Sequence, residues 1–156
     1  MTGKRRRTLV LGLGNLVHSD DGVGVHAIHC LRGDSRVPPG VELMDGGTQG
    51  LSLASHIAGF ERLLAIDAVD AGQPPGTLIR LEGAAIETLP GKASVHLLGF
   101  ADLMVTLRLL GEAPEEIVVL GVQPQSTEWS VELTAPVRQS LDKLVEAAIT
   151  QLEAWA

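Results

Sequence analysis

An apolar run that ends in glycines and hands over at once to a helical pattern leaves a chain few architectures to choose from. In "LVLGLGNLVHSDDGVGV", Leu9 to Val25, the run from Thr8 to Leu13 is almost wholly apolar, as a short strand buried on both faces should be. From Gly22 to Arg32, the residues Val23, Ala27, Cys30 and Leu31 recur near helical spacing. A strand, a tight turn and a helix within so short a span belong to a sheet covered by helices.

The rest of the chain repeats that alternation. "VELM", Val41 to Met44, reads as a second strand ended by "DGGTQG", and Leu51 to Ala58 as a short helix. "RLLAIDAV", Arg62 to Val69, is a third strand with Asp67 near its end, and "TLIRL", Thr77 to Leu81, is a fourth. The turn "DAGQPPG" between them is too short for a helical crossover, which predicts antiparallel pairing of the third and fourth strands. "GKASVH" reads as a loop, followed by a helix from Gly99 to Leu110 and a fifth strand, Glu116 to Val122. After the loop "QPQSTEWS", Thr134 is expected to cap a last helix reaching Ala154, with Pro136 in its first turn. The expected fold is an α/β sandwich whose five-stranded sheet is mostly parallel with one antiparallel strand.

A chain of 156 residues suits one domain, here 1–156, with 1–7 expected to form a flexible N-terminus. Two Trp, two Phe and no Tyr mean that Leu, Val, Ile and Ala must build the core. A net charge of −7 argues against a nucleic-acid-binding surface, and the basic run Lys4 to Arg7 reads as a solvated end. That run resembles a twin-arginine export signal, but the apolar stretch behind it is broken by Gly12, Gly14 and Asn15 and meets "HSDDG" instead of a cleavage site. No apolar stretch approaches the roughly 18 residues of a membrane span. One cysteine, Cys30, excludes an internal disulfide and a zinc site built on several cysteines; helical spacing makes it a small core residue. A cytoplasmic, monomeric protein is the expectation.

Glycines after a first strand suggest a nucleotide, yet the G-x-G-x-x-G pattern fails at Val17 and no G-x-x-x-x-G-K-[ST] occurs. Asp20 and Asp21 at a helix N-terminus would also repel a pyrophosphate. The acids suit a cation, or a partner presenting one. Asp20 and Asp21 follow the first strand, Asp45 the second, and Asp67 ends the third; in a parallel sheet these positions share one edge, where open α/β folds place their sites. His96, expected in the loop before a helix, can reach the same crevice. Carboxylates with an imidazole suit a borderline divalent ion such as Zn²⁺ or Ni²⁺, with coordination positions left open. The competing reading is simpler: Ser19, Asp20 or Asp21 serves as an N-cap. A nucleophilic protease is disfavoured, because Cys30 lies within a helix and no G-x-S-x-G elbow is present.

Five blocks, "LVLGLGNLVHSDDGVGV", "ELMDGGTQG", "LLAIDAVDAGQPPGTL", "SVHLLGFADLM" and "VVLGVQPQS", resemble in order and spacing the nickel–iron hydrogenase maturation endopeptidases. The resemblance runs from Leu9 to Leu152. It implies an α/β/α sandwich with a twisted mixed sheet, and an enzyme that removes a C-terminal peptide from the hydrogenase large-subunit precursor after nickel insertion. The family's metal-contacting positions match Asp21, Asp67 and His96; some members carry Glu where this chain has Asp21. Asp45 of "DGGT" is assigned to substrate or loop positioning, and Asn15 to bracing the turn that Gly12 and Gly14 make. In the family picture the triad recognises nickel carried by the substrate, so no organic cofactor is expected. The bond-breaking step stays open between a metal-polarised carbonyl and an activated water, with Asp20 or Asp21 as alternative bases.

Other histidines carry less. His26 and His29 can face together on a helix, His18 lies in the signature loop, and His56 reads as helix surface. Trp129 is read either as a partner contact or as local packing. The rival function is a non-cleaving, nickel-dependent chaperone of the large subunit.

Overall fold

The structure, a computed structural model, describes residues 6–87 and 95–156; the side chains of residues 51, 84, 87 and 95–99 are outside that description. Five strands form one sheet: β1 (Thr8–Leu13), β2 (Val41–Gly47), β3 (Arg62–Ala68), β4 (Leu78–Glu82) and β5 (Glu116–Val122), in the order β2-β1-β3-β5-β4. The helices are α1 (Val23–Arg32), α2 (Ala54–Ile57), α3 (Ala84–Glu87), α4 (Val95–Leu109) and α5 (Ala135–Trp155). Side chains alternate across the strands. Val10, Leu64, Ile66, Val118 and Leu120 face α1 and α5 through Ala27, Leu31, Leu144 and Ile149. Leu9, Leu11, Leu63, Ala65 and Val119 face the other way, onto Ile57, Phe100, Leu103, Met104 and Leu107. The result is a three-layer α/β/α sandwich, with β1, β2, β3 and β5 parallel and β4 antiparallel.

The antiparallel strand pairs differently from the expectation. β4 pairs with β5, while β3 lies between β1 and β5. Each strand of a sheet has only two hydrogen-bonding edges, and parallel β5 takes the free edge of β3. The connection after β3 therefore crosses the end of β5, stepping over one extra strand spacing of about 4.8 Å. It is tied down there by Val69 N–H to the Val122 carbonyl (3.0 Å), Gly76 N–H to the Gln123 carbonyl (2.8 Å) and Gln123 N–H to the Thr77 carbonyl (2.9 Å).

Other boundaries shift for local reasons. β2 continues through Asp45 to Gly47, because a bulge between Gly12 and Leu13 lets Leu13 pair with Gly47 while Gly12 pairs with Asp45. The expected helix at 51–58 is a 3-10 turn, Gly50–Leu53, running into α2. α4 starts at Val95, so Val95 and His96 open the helix instead of closing the loop; residues 91–94 of "GKASVH" lie outside the described residues. Thr134 stands at the N-cap of α5 with extended backbone, yet its hydroxyl caps no N–H and donates elsewhere. Cys30 is exposed and not in the core: Ala27, Ile28 and Leu31 occupy the inward face of α1. Arg6 and Arg7 are engaged, Arg6 by Glu116 and the Arg7 N–H by Glu61. Among the described residues, no helix is long and apolar enough to cross a membrane.

Candidate active site

The parallel strands bring their carboxyl ends to one edge, with Gly12 level with Ile66 on β3 and with Asp45 on β2. Three glycines let the backbone close up there. An ideal Cβ on Gly24 would stand 2.1 Å from the Ile66 carbonyl oxygen, and one on Gly12 2.5 Å from the Gly24 carbonyl, so α1 rests its backbone directly on the sheet. Gly12 thus serves close helix–sheet approach instead of the turn. The turn belongs to Gly14, whose φ of +118° is foreign to L side chains and whose absent Cβ would meet the Asp21 carbonyl oxygen at 1.8 Å. That same point lies 3.4 Å from Asp67 Oδ1. Gly14 is therefore the junction at which the Asp21 backbone packs beside the Asp67 carboxylate.

The stretch "SDDG" is a 3-10 turn, Ser19–Gly22, ahead of α1. Neither of its aspartates caps α1: the N-cap is Gly22, with no side-chain bond. Asp21 instead reaches back, its Oδ2 accepting the Asn15 N–H at 2.9 Å. Asn15 Oδ1 in turn accepts the Val17 N–H at 3.1 Å, an Asx turn that braces the loop. Asp67 is fully buried, with Oδ1 accepting the Ala68 N–H at 2.7 Å. Asp45 is exposed; its Oδ1 accepts the Gly47 N–H at 2.9 Å, and the Gly47 carbonyl accepts the Gly14 N–H at 2.9 Å. Asp45, Asn15 and Gly14 share the wall of a shallow depression with Leu16, Gly47 and Thr48.

Asp20 has a different surrounding from its neighbour. It is 0% exposed, and its carboxylate accepts from Gln125 N–H (2.8 Å), Ser126 N–H (3.1 Å), Thr134 N–H (2.8 Å) and the Thr134 hydroxyl (2.7 Å). It clamps the β5–α5 loop onto the β1–α1 loop. Ser19 helps: at a φ of +53° it donates its hydroxyl to the Glu132 carbonyl (2.8 Å) and its N–H to the Ser130 carbonyl (2.8 Å). A non-glycine residue in that conformation is held by its surroundings. Gln123 was not picked out by its residue type. Buried after β5, its Oε1 accepts from Ala71 and Gln73 N–H while Nε2 donates to Asp70, fixing the segment that follows Asp67. Its only signal in the sequence is its place within "VVLGVQPQS".

His96 is placed by its backbone in the first turn of α4; its side chain lies outside the described residues. Among the described residues, no group of three or more His, Cys, Asp and Glu side chains is gathered to hold a metal ion. His26 is half-buried, and burial, then the charge of His29, lowers its pKa. His18 Nδ1 contacts the Thr127 carbonyl at 3.0 Å, and its ring lies against Trp129 with centroids 4.2 Å apart. A cavity of about 460 Å³ lies elsewhere, beside the start of β5, lined by residues such as Arg80, Glu82, Arg108, Gln151 and Trp155.

Comparison with known proteins fits this fold. The family described as HycI, hydrogenase maturation protease, matches residues 25–151. The hydrogenase expression/formation protein HupD of Rhizobium leguminosarum bv. viciae is 36% identical over 152 residues, which cover 96% of this chain and 75% of that protein. The hydrogenase 2 maturation protease of Escherichia coli strain K12 is 35% identical over 148 residues, 94% of this chain and 90% of its own. Among solved structures, the hydrogenase maturating endopeptidase HybD from E. coli superposes with a TM-score of 0.89 at 34% identity, covering 95% of this chain and 93% of that one. The NiFe hydrogenase maturation protease HybD from Thermococcus kodakarensis does so with a TM-score of 0.77 at 31% identity, covering 94% and 99%.

Proposed function

The chain belongs to the hydrogenase maturation protease family and is an endopeptidase of that class, and from that premise we propose that it removes the C-terminal peptide of a nickel–iron hydrogenase large-subunit precursor once nickel is in place. The observation that carries this reading is the packing of the Asp21 backbone beside the Asp67 carboxylate at Gly14, on the carboxyl edge of the sheet. Two oxygen donors at that edge suit a nickel ion that the substrate already holds and that still accepts oxygen or nitrogen ligands. His96, at the start of α4, is the proposed third donor. Nickel is here part of the substrate. Without it, the acidic edge meets the precursor with its charge uncompensated, which gives the enzyme a checkpoint on metal insertion.

Asp20 is left out of the chemistry in this reading. Its carboxylate is committed to four hydrogen bonds that tie the β5–α5 loop to the β1–α1 loop, which makes it a structural clamp in this reading. Asp21 remains the candidate base, and Asn15 and Asp45 position the loops. That Gly14, Asn15 and Asp45 line a shallow depression suits a folded protein as substrate, since such a partner docks on surfaces and needs no deep pocket. A cytoplasmic place of action, supported by the single cysteine, and a monomeric enzyme belong to the same proposal.

The test is a processing assay with nickel-loaded and nickel-free precursor side by side, read by mass spectrometry. Wild-type enzyme should trim only the loaded form, and Asp21→Ala, Asp67→Asn and His96→Ala should leave it untrimmed while keeping their circular dichroism. Normal trimming by all three variants would overturn the site assignment. A complex that forms with no loss of mass would overturn the cleavage.

A further inference from the structure

Resting on the proposed activity, we infer that the exposed ribbon around Trp129 is the docking surface for the body of the large-subunit precursor, separate from the acids that meet its metal. The β1–α1 and β5–α5 loops run side by side here: His18 forms a parallel bridge with Ser130, and the Ser130 N–H donates to the Val17 carbonyl at 3.0 Å. The ribbon presents apolar surface to solvent, with Trp129 79%, Val131 71% and Val17 41% exposed. Water-facing apolar groups of this size, clustered on one short ribbon, are the composition of an interface core.

The ribbon is also held in place before any partner arrives. The Asp20 carboxylate anchors the loop on both sides of Trp129, at Gln125 and Ser126 before it and at Thr134 after it. The His18 ring supports the indole from beneath. An aromatic anchor fixed in advance loses little conformational freedom on association. Such residues carry a large share of binding energy at protein interfaces.

Position and charge choose the occupant. Val17 and His18 sit on the same loop as Asp21, so a body seated on the ribbon lies at the mouth of the acidic edge. Glu128 and Glu132, both exposed, flank Trp129 and Val131 and call for a partner face with Lys or Arg around an apolar recess. A second copy of this chain, which carries a net charge of −7, meets that acidic rim with the wrong sign.

The experiment compares wild type with a Trp129→Ala/Val131→Ser double variant and a Glu128→Lys/Glu132→Lys double variant, using nickel-loaded precursor. Because the apolar pair is exposed, the first variant should keep its Tm within a few degrees. Its KM should rise by roughly tenfold or more, as for loss of an aromatic hot spot, with kcat near wild type. The charge variant should associate more slowly at low salt and lose most of its salt dependence. An unchanged KM in the first variant overturns the docking surface, as does a wild-type dimer that the first variant turns into a monomer. Wild-type enzyme that fails to trim the precursor overturns the proposed activity instead; in that event binding of the precursor, measured by calorimetry with both proteins, still decides the docking surface.

Discussion

Replacing Asp20 by Asn tests whether this carboxylate is a clamp or a reactant. Oδ2 accepts three hydrogen bonds, from Gln125 N–H, Ser126 N–H and the Thr134 hydroxyl, whereas Oδ1 accepts one, from Thr134 N–H. An amide in the same volume must therefore keep its oxygen at the three-donor position and turn its NH₂ toward Thr134 N–H. One buried N–H then loses its partner, at about 1–3 kcal/mol, and three charge-assisted bonds become neutral ones, each weaker by about 1 kcal/mol. Relief from burying a charge offsets part of this. The net expectation is about 2–4 kcal/mol of destabilisation, or a Tm lower by roughly 6–12 °C for a domain of this size. Urea unfolding followed by circular dichroism, with calorimetry for the Tm, measures it; Asp45→Asn, at an exposed carboxylate, serves as the control and should stay within about 0.5 kcal/mol. If Asp20→Asn unfolds at the wild-type urea midpoint with the same slope, the clamp does not hold the loop. Below its own transition the variant should still trim precursor, with a weakened KM from the loosened Trp129 ribbon. Loss of turnover at full folding would instead make Asp20 a reactant.

Three further expectations follow from local geometry. Gly14→Ala forces a Cβ into the Asp21 carbonyl oxygen at a φ of +118°, so it should cost more than 2 kcal/mol in urea unfolding and abolish trimming even in the folded fraction. The Arg36 guanidinium, and then its backbone N–H, hold the Asp34 carboxyl at a pKa of about 2. A carbon-detected NMR titration should find that midpoint in the wild type and a higher one in Arg36→Ala, still below the ordinary value of about 3.9 because the backbone N–H of residue 36 remains. The stability this pair contributes is present above the unfolded carboxyl's pKa and fades as pH falls toward 2. His26 has a folded pKa below 6.5, from burial and then His29. Its unfolded form takes up a proton first, so stability should be full above pH 6.5 and fall as pH drops below it. Urea midpoints between pH 7 and 5 should show a shallower slope in His26→Gln than in wild type.

Much of this molecule could be read along the chain because the signals are local. Thr8 to Leu13 and Glu116 to Val122 are strands at the bounds their apolar runs suggest. Asp21, Asp45 and Asp67 reach one edge because parallel strands end together. Other features had no local signal. β4 chose β5 over β3 because a strand's free edge is a property of the whole sheet. Cys30 fell outside the core because the orientation of α1 against the sheet is set by backbone contact at Gly24, not by its apolar spacing alone.

The adjacent acids show where that division falls. By itself the sequence determined a covered parallel sheet, a glycine turn after its first strand and carboxylates at its carboxyl edge, since strand alternation and turn chemistry act between near neighbours in the chain. The family resemblance favoured Asp21 as the metal contact, and only the tertiary structure showed what Asp20 holds. Asp20 is defined by Gln125, Ser126 and Thr134 from a distant segment, whereas Asp21 accepts the Asn15 N–H on its own loop. A buried carboxylate is defined by the donors around it, and those are assembled only when the sheet closes.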